Sequence, residues 1–256
     1  MNSINSRKHD DIKLVNALHQ ADKRREHGLF IAEGIRVIQT LISSKIKLKQ
    51  LYILQERSQD VIDTLKKLCA DHGYNEQFLT TITQSVLEKI SCTKSPSGVL
   101  GVFFIPTPQT LKNLSHGIVL ANISSPGNMG TIIRSAAAFA ANCVVIVDGT
   151  DVWGPKVVQA SAGTLGMIPI IESSWQELIE AKKDLSLCAL VVSGGQSPST
   201  INKNQSLIVV GNEAHGLPKE WANQCEKQIT IAMPGKTESL NAALAASIAL
   251  YATGAD

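Results

Sequence analysis

Short runs of apolar residues, separated by loops and helical segments, constrain this 256-residue chain more than any other feature of its sequence. Such runs are typical of strands that are buried on both faces of a parallel sheet. No run reaches the roughly 18 apolar residues that a membrane-spanning helix needs. The sequence therefore predicts an α/β fold with a mostly parallel sheet and helices on both faces, with strands at residues 118–121, 143–147, 168–171, 188–192 and 207–210.

The first hundred residues predict a smaller α/β domain. Helical spacing of apolar residues alternates there with short strand-like runs. The predicted helices are 11–27, 34–43, 60–72 and 83–90, and the predicted strands are 30–32, 48–54 and 98–105. A stretch rich in Pro and Thr at 106–110 is the candidate linker, so we expect two domains, 1–106 and 107–256.

Cysteine usage and the N-terminus point to a cytoplasmic protein. The five cysteines are an odd number, lie far apart and form no C-x-x-C pair, so neither a disulfide framework nor a zinc site is expected. The first nine residues are polar and lack the apolar core of a signal peptide. We expect no bound metal and no membrane association.

Positive charge is concentrated in the first domain. Residues 1–107 hold 15 Lys and Arg against 11 Asp and Glu, whereas the whole chain holds 24 against 22. The densest part is Lys23, Arg24 and Arg25. Such a cluster indicates either phosphate contacts to nucleic acid or a solvated surface, and charge alone leaves both open.

The first of three polar loops spans residues 122–134 and leads into a predicted helix at 131–141. Arg134 is expected at the start of that helix, with its guanidinium directed back toward the loop. A guanidinium beside a helix N-terminus suits a phosphate. The alternative is a surface ion pair for Arg134 and a simple helix cap for Asn128.

The second loop, 210–218, follows an apolar strand directly. Glu213 is a candidate general base, a partner for an arginine or a holder of a ligand hydroxyl. His215 either titrates near neutrality or is an exposed bystander.

The third loop, 231–241, leads into an Ala-rich helix predicted at 239–252. Ser239 is the expected N-cap, and Asn241 is expected in the first turn. The small residues of this helix suit either a dimer interface or a packed core. No G-x-G-x-x-G, Walker A, G-x-S-x-G or H-E-x-x-H motif occurs. The absence of the first of these argues against a nicotinamide-dependent oxidoreductase.

Together and in this order, the three loops resemble the signature motifs of the SpoU (TrmH) family of RNA 2′-O-ribose methyltransferases, which belong to the SPOUT class and carry a deep trefoil knot. The likeness runs from about residue 118 to 251 and includes 154–163. Residues 1–105 are similar, less tightly, to the ribosomal-protein-like RNA-binding domain of many members, chiefly at 28–36 and 96–100.

The resemblance implies roles for individual residues. Two departures from the family pattern touch none of the implied catalytic positions, namely Ser125 where many members have Asp and Ala232 where Pro is usual. The implied catalytic set is Asn122, Arg134, Glu213, Ser239 and Asn241; the implied cofactor contacts are Ser193, Gly194, Gly211, Ile231 and Leu240; and the expected RNA contacts are Lys23, Arg24, Arg25 and Arg36.

The implied activity is transfer of a methyl group from S-adenosylmethionine to a ribose 2′-hydroxyl of RNA, by a homodimer and without a metal. Family proposals make Arg134 the base, but an arginine is always protonated, so we interpret it as an organiser of the target phosphate and hydroxyl. A separate first domain favours ribosomal RNA. The alternatives are a tRNA 2′-O-methyltransferase, or a non-catalytic RNA-binding or ribosome-assembly protein on the same fold.

Overall fold

The chain forms two compact units in the computed structural model, which describes residues 2–235 and 237–254. The first unit comprises the chain up to Pro106 together with Asp151–Gly166, and the second comprises Thr107–Thr150 together with the chain from Met167 onward. The predicted boundary also lies between residues 106 and 107, but the sequence predicts 151–166 in the second domain. The assignment of substrate binding to the first domain stays a prediction.

The first unit is built on a five-stranded sheet with helices around it. Its elements are β1 (Asn2–Ile4), α1 (Asp10–Ala17), α2 (Ala21–His27), β2 (Leu29–Glu33), α3 (Ile35–Ser43), β3 (Leu48–Leu54), α4 (Gln59–Asp71), β4 (Leu79–Ile82), α5 (Gln84–Ile90), β5 (Val99–Phe104) and α7 (Pro155–Ala160). The strand order is β1-β4-β3-β5-β2. Only β5 runs antiparallel to its neighbours, so the carboxyl ends of β2 and β3 and the amino end of β5 share one edge of the sheet.

Two features of this unit differ from the prediction. The single helix expected at 11–27 is in fact two helices, because the first ends at Ala17, the chain turns, and the second begins at Ala21. The second of these helices ends at Gly28, whose φ of 62° favours glycine. Strands β1 and β4 are not predicted, since they are only three and four residues long and β4 is half threonine.

The second unit has a six-stranded sheet in which every pair of neighbouring strands is parallel. Its elements are β6 (Gly117–Ala121), α6 (Pro126–Ala138), β7 (Cys143–Val147), β8 (Ile170–Ser173), α8 (Trp175–Ala181), β9 (Ser186–Leu190), β10 (Ser206–Val210), α9 (Lys219–Ala222), β11 (Lys227–Ile229) and α10 (Ala242–Gly254). All residues of β6, β7 and β10 are buried, as a sheet covered on both faces requires. The predicted mostly parallel α/β fold is confirmed.

The strand order places the functional loops together. It runs β11-β9-β10-β6-β7-β8, so β10 lies between β9 and β6. Because parallel strands end at the same edge, the loops that follow β6, β9 and β10 meet there. Ligands of open α/β sheets bind at this edge.

Two helices begin elsewhere than predicted. Helix α6 starts at Pro126, where the Oγ of Ser125 accepts a hydrogen bond from the N–H of Asn128 at 3.3 Å. Arg134 is therefore the ninth residue of α6 and not at its start. Helix α10 starts at Ala242, and the cap is Asn241 in place of Ser239, since its Oδ1 accepts hydrogen bonds from the N–H groups of Ala243 and Leu244 at 2.9 and 3.2 Å.

No helix within residues 2–235 and 237–254 has both the length and the apolar content that crossing a membrane requires. Across the same residues, no three His, Cys, Asp or Glu side chains are grouped in a way that would hold a metal ion.

Candidate active site

A cleft of about 410 Å³ opens at the carboxyl edge of the parallel sheet. Its walls come from the loops after β9 and β10 and from the segment that leads into α10. A volume of this size suits a nucleoside-sized ligand. The lining residues are Leu190, Val191, Val192, Val210, Gly211, Asn212, Glu213, Ala214, His215, Gly216, Ile231, Met233, Ser239, Leu240, Ala242 and Ala245.

Gly211 gives the loop after β10 its tight shape. The N–H of Asn212 donates to the Gly216 carbonyl at 3.0 Å, and the N–H of Gly216 returns a bond to the Asn212 carbonyl at 2.8 Å. A Cβ on Gly211 would lie 2.4 Å from the backbone of Gly216 and Leu217. Only glycine allows this close return of the backbone, which directs Glu213 out of the strand end.

Glu213 ties the loop after β10 to the loop after β6. Its Oε2 accepts hydrogen bonds from the N–H and the Oγ of Ser124 at 3.3 and 3.1 Å. Its Oε1 accepts from the N–H of Ser125 at 3.1 Å and from the Nδ2 of Asn128 at 3.0 Å. Partial burial opposes ionisation, but the hydrogen bonds from Asn128 and the backbone outweigh it and lower the pKa of Glu213.

This geometry decides between the roles considered for Glu213. A carboxylate that is ionised and holds four donors is a poor general base, because its lone pairs are already occupied. None of the hydrogen bonds or ion pairs found among the described residues joins Glu213 to Arg134. Within this chain, Glu213 therefore organises the loop after β6.

Asn128 extends this network to the third loop. Its Nδ2 donates to Glu213, while its Oδ1 accepts from the Nδ2 of Asn241 at 3.1 Å. Asn241, the cap of α10, is thereby joined to Glu213 through a single side chain. Sequence reasoning considered Asn128 only as a helix cap. The sequence places Asn128 one helical turn after the Ser125 cap, which indicates that its side chain lies near the loop. Its two partners could not be predicted, because they lie 85 and 113 residues away in the chain.

Three of the predicted catalytic residues lie outside this network. The side chain of Arg134 is exposed on α6 and takes part in none of the described hydrogen bonds or ion pairs. Asn122 acts through its backbone: it has a φ of 58°, and its carbonyl accepts a hydrogen bond from the Nδ2 of Asn212 at 2.9 Å. Ser239 is exposed and lines the cleft.

The predicted cofactor contacts divide into two groups. Gly211, Ile231 and Leu240 line the cleft. Ser193 and Gly194 are exposed and follow Val192, the last lining residue of the loop after β9. His215 also lines the cleft and is exposed. Its backbone N–H donates a hydrogen bond to the Oδ1 of Asn212 at 3.2 Å.

The predicted RNA contacts in the first unit need one correction. Arg24 is only 4% exposed; its Nε donates to Asp151 at 2.9 Å and its Nη1 to the Leu18 carbonyl at 2.7 Å. A side chain that is buried and paired in this way does not reach an RNA phosphate. Lys23 is paired with Glu26 at 2.7 Å, whereas Arg25 and Arg36 are exposed.

Comparison with protein-family models gives two matches that together cover most of the chain. Residues 115–251 match the model of the SpoU rRNA Methylase family, which is more than half of the chain. Residues 9–101 match the model of an MRM3-like substrate binding domain.

Relatives and solved structures agree with these matches. The chain is 28% identical to an uncharacterized tRNA/rRNA methyltransferase of Synechocystis over 97% of this chain and 92% of that protein. It is 26% identical to a 23S rRNA (uridine(2479)-2′-O)-methyltransferase of Streptomyces viridochromogenes over 91% and 85%. The crystal structure of an AdoMet-bound rRNA methyltransferase from Sinorhizobium meliloti superposes with a TM-score of 0.83 at 25% identity, covering 98% of this chain and 97% of that one. With the cleft, the three joined loops and the family match in agreement, the chain belongs to the SpoU rRNA methylase family.

Proposed function

We propose that this protein transfers a methyl group from S-adenosylmethionine to a ribose 2′-hydroxyl of ribosomal RNA. The observation that carries the proposal is the network in which Glu213, Asn128 and Asn241 join the three loops at the edge of the parallel sheet. The rRNA 2′-O-methyltransferase names of similar proteins and the AdoMet-bound structure support the substrate and the cofactor.

The cleft suits S-adenosylmethionine. Apolar side chains such as Leu190 and Met233 offer surfaces for an adenine ring, and the bare backbone at Gly211 offers polar groups within close reach. Ser193 and Gly194, in the exposed loop beside the cleft, would close over the adenosine. The bound cofactor supplies an activated methyl group on a sulfonium, so the protein has to bind it, exclude water and aim the acceptor.

Arg134 is proposed to aim the acceptor. Its guanidinium stays protonated at neutral pH and presents a planar fork that fits a phosphate. Because it is exposed and makes none of the described ion pairs, it is free to orient the target nucleotide. Glu213, with its oxygens occupied, keeps the loop that precedes Arg134 in place.

A homodimer is part of the proposal. Helix α10 is apolar nearly all round, and it exposes Leu244 at 51% and Tyr251 at 60%. Exposed side chains of this kind on one helix favour a protein contact. A second protomer is also the proposed source of the partner that Arg134 lacks within one chain.

A deep trefoil knot is also proposed for the second unit. Its support is the match of residues 115–251 to the SpoU family, whose resemblance implies this topology. Localisation in the cytoplasm is proposed from the five free cysteines, which suit a reducing compartment.

The test measures cofactor binding and methyl transfer separately. Titration calorimetry with S-adenosylmethionine gives the first, and nuclease digestion with mass spectrometry of ribose-methylated nucleosides gives the second, on ribosomal RNA and on tRNA. Arg134→Ala should retain cofactor binding and lose methyl transfer by about 100-fold or more. Lys219→Ala, which removes an exposed charge on α9, is the matched control and should retain both.

Each other outcome has a defined meaning. Methylation of tRNA in place of ribosomal RNA would replace the proposed substrate. A folded protein that binds RNA but neither binds the cofactor nor transfers methyl would be a non-catalytic RNA-binding protein of this family. Full activity of Arg134→Ala would contradict the role given to that residue.

A further inference from the structure

One corner of the first unit is organised around a buried carboxylate. Glu33, the last residue of β2, is 3% exposed. Its oxygens accept hydrogen bonds from the Oγ of Ser91 at 2.9 and 3.1 Å, the N–H of Cys92 at 2.9 Å, the Oγ1 of Thr93 at 3.1 Å and the N–H of Ser97 at 3.0 Å. Every donor belongs to the segment 91–98, the corner loop, which joins α5 to β5. A single side chain thus fixes the shape of this exposed loop.

Arg57 lies against the end of the corner loop. It follows β3, whose carboxyl end shares the sheet edge with Glu33 and with the start of β5. Gly98 has a φ of 81°, and a Cβ there would lie 2.4 Å from the Nε of Arg57. The guanidinium therefore occupies the space that only a glycine leaves open.

The guanidinium of Arg57 has no partner among the described residues. Its Nε is buried and makes no hydrogen bond, and none of the described ion pairs includes this residue. The side chain as a whole is only partly buried, so its outer part reaches solvent. The terminal nitrogens of the guanidinium are not buried and take part in none of the described hydrogen bonds, so an anion can bind them without displacing a protein partner.

The surroundings of Arg57 favour a polyanion. Lys94, in the corner loop, and Arg36, in the first turn of α3, are exposed and belong to none of the described ion pairs. In contrast, two of the three basic residues of α2 are occupied: Lys23 by Glu26 and Arg24 by Asp151. Of the α2 cluster only Arg25 belongs to none of the described ion pairs, whereas Arg57, Lys94 and Arg36 are all without one at the corner loop.

We infer that Arg57 contacts a backbone phosphate of the RNA substrate, on a surface formed by the corner loop and completed by Lys94 and Arg36. This inference rests on the proposed function, which supplies RNA as the ligand, and it assigns a binding surface for that RNA. A fixed loop suits the contact, since Glu33 holds the corner loop in shape before the RNA arrives and the loop loses less freedom on binding. Such contacts set orientation and affinity without reading sequence.

The experiment compares single charge removals in the full-length protein. Arg57→Ala should weaken binding of a ribosomal RNA fragment about tenfold. It should also reduce the slope of log affinity against log salt concentration by about 1, the contribution of a single phosphate contact. Arg57→Lys should recover part of the affinity and all of the salt slope. Lys67→Ala, an exposed residue of α4 with no described partner, is the matched control and should change neither.

Cofactor titration and thermal unfolding accompany each binding curve. The inference requires that Arg57→Ala unfolds at or above the wild-type temperature and binds S-adenosylmethionine normally. If its RNA affinity and salt slope equal those of wild type, the inference is wrong while the proposed function stands. If wild-type protein binds the cofactor but no RNA, the surface and the proposed substrate fail together.

Discussion

At the residue scale, Asn128 is the side chain on which the geometry of the active site depends. It is the one described link between Glu213 and Asn241, and each of its polar atoms has a single long-range partner. This linking role could not be predicted from the sequence, because the loop that contains Asn128 has several other polar residues that could form similar hydrogen bonds.

Replacing Asn128 with Ala should separate the three loops. We expect a loss of about 1 to 2 kcal/mol in the free energy of unfolding, since two hydrogen bonds disappear and the Glu213 and Asn241 groups lose a partner. Affinity for S-adenosylmethionine should fall as well, because both partners sit beside the cleft. Denaturant unfolding and calorimetry measure the two effects. Asn204→Ala, at an exposed asparagine, is the control; equal behaviour of the two variants would show that the network is dispensable.

The pKa of Glu213 makes a second prediction at this scale. Its pKa is lower in the folded protein than the ordinary 4.5, so the ionised form stabilises the fold. This contribution is complete above the ordinary pKa and is lost as the pH falls through the lowered folded value. Wild type should therefore exceed Glu213→Gln in unfolding temperature by a constant amount from neutral pH down to about 5, and the difference should vanish in stronger acid.

Unfolding temperatures of both proteins across this range provide the measurement. Glu213 is an exposed residue, so the difference is expected to be small, and curves that stay parallel throughout the acid range would show that the ionised form of Glu213 contributes nothing to stability.

At the element scale, the loop after β10 depends on a glycine. Gly211→Ala forces a Cβ against the backbone of Gly216, which has no flexible end that can move away. We expect the free energy of unfolding to fall by about 1 to 3 kcal/mol and the side chain of Glu213 to be displaced. In Gly127→Ala, at the start of α6, the new Cβ meets only Ser125 Oγ at 3.8 Å, and better helix propensity should keep stability unchanged or raise it.

Chemical unfolding of the two alanine variants checks this contrast. A Gly211→Ala protein as stable as Gly127→Ala would mean that the loop opens without cost.

At the scale of the whole molecule, the exposed apolar side chains of α10 predict association. Leu244→Glu puts a charge on the face that we propose to be buried between two protomers, so it should convert a dimer into a monomer. Light scattering at fixed protein concentration measures the mass. Asn204→Glu adds the same charge at an exposed site and should leave the dimer intact. A wild-type protein that is monomeric in solution would overturn the proposed assembly.

The amino-acid sequence determined most of the sheet of the second unit, although it did not predict the helices α8 and α9 or the three-residue strand β11, which contains a Lys and a Gln. Strand β7 lies where its apolar run predicts, and the all-parallel sheet follows from such buried runs alternating with helices. These properties depend on residues that are close in the chain, so local periodicity reveals them. Each of the three polar loops is likewise a short local motif, and their order along the chain was sufficient to indicate the SpoU family.

Only the tertiary structure decided which polar side chains meet. Arg24 is buried against Asp151, 127 residues away, and Glu213 holds Ser124 rather than Arg134. Arg57, unremarkable in sequence, becomes a candidate RNA contact because the fold brings Gly98 beneath it. Local sequence encodes which residues form a strand or a helix, whereas hydrogen-bond partners depend on strand order and loop closure, which bring together residues far apart in the chain.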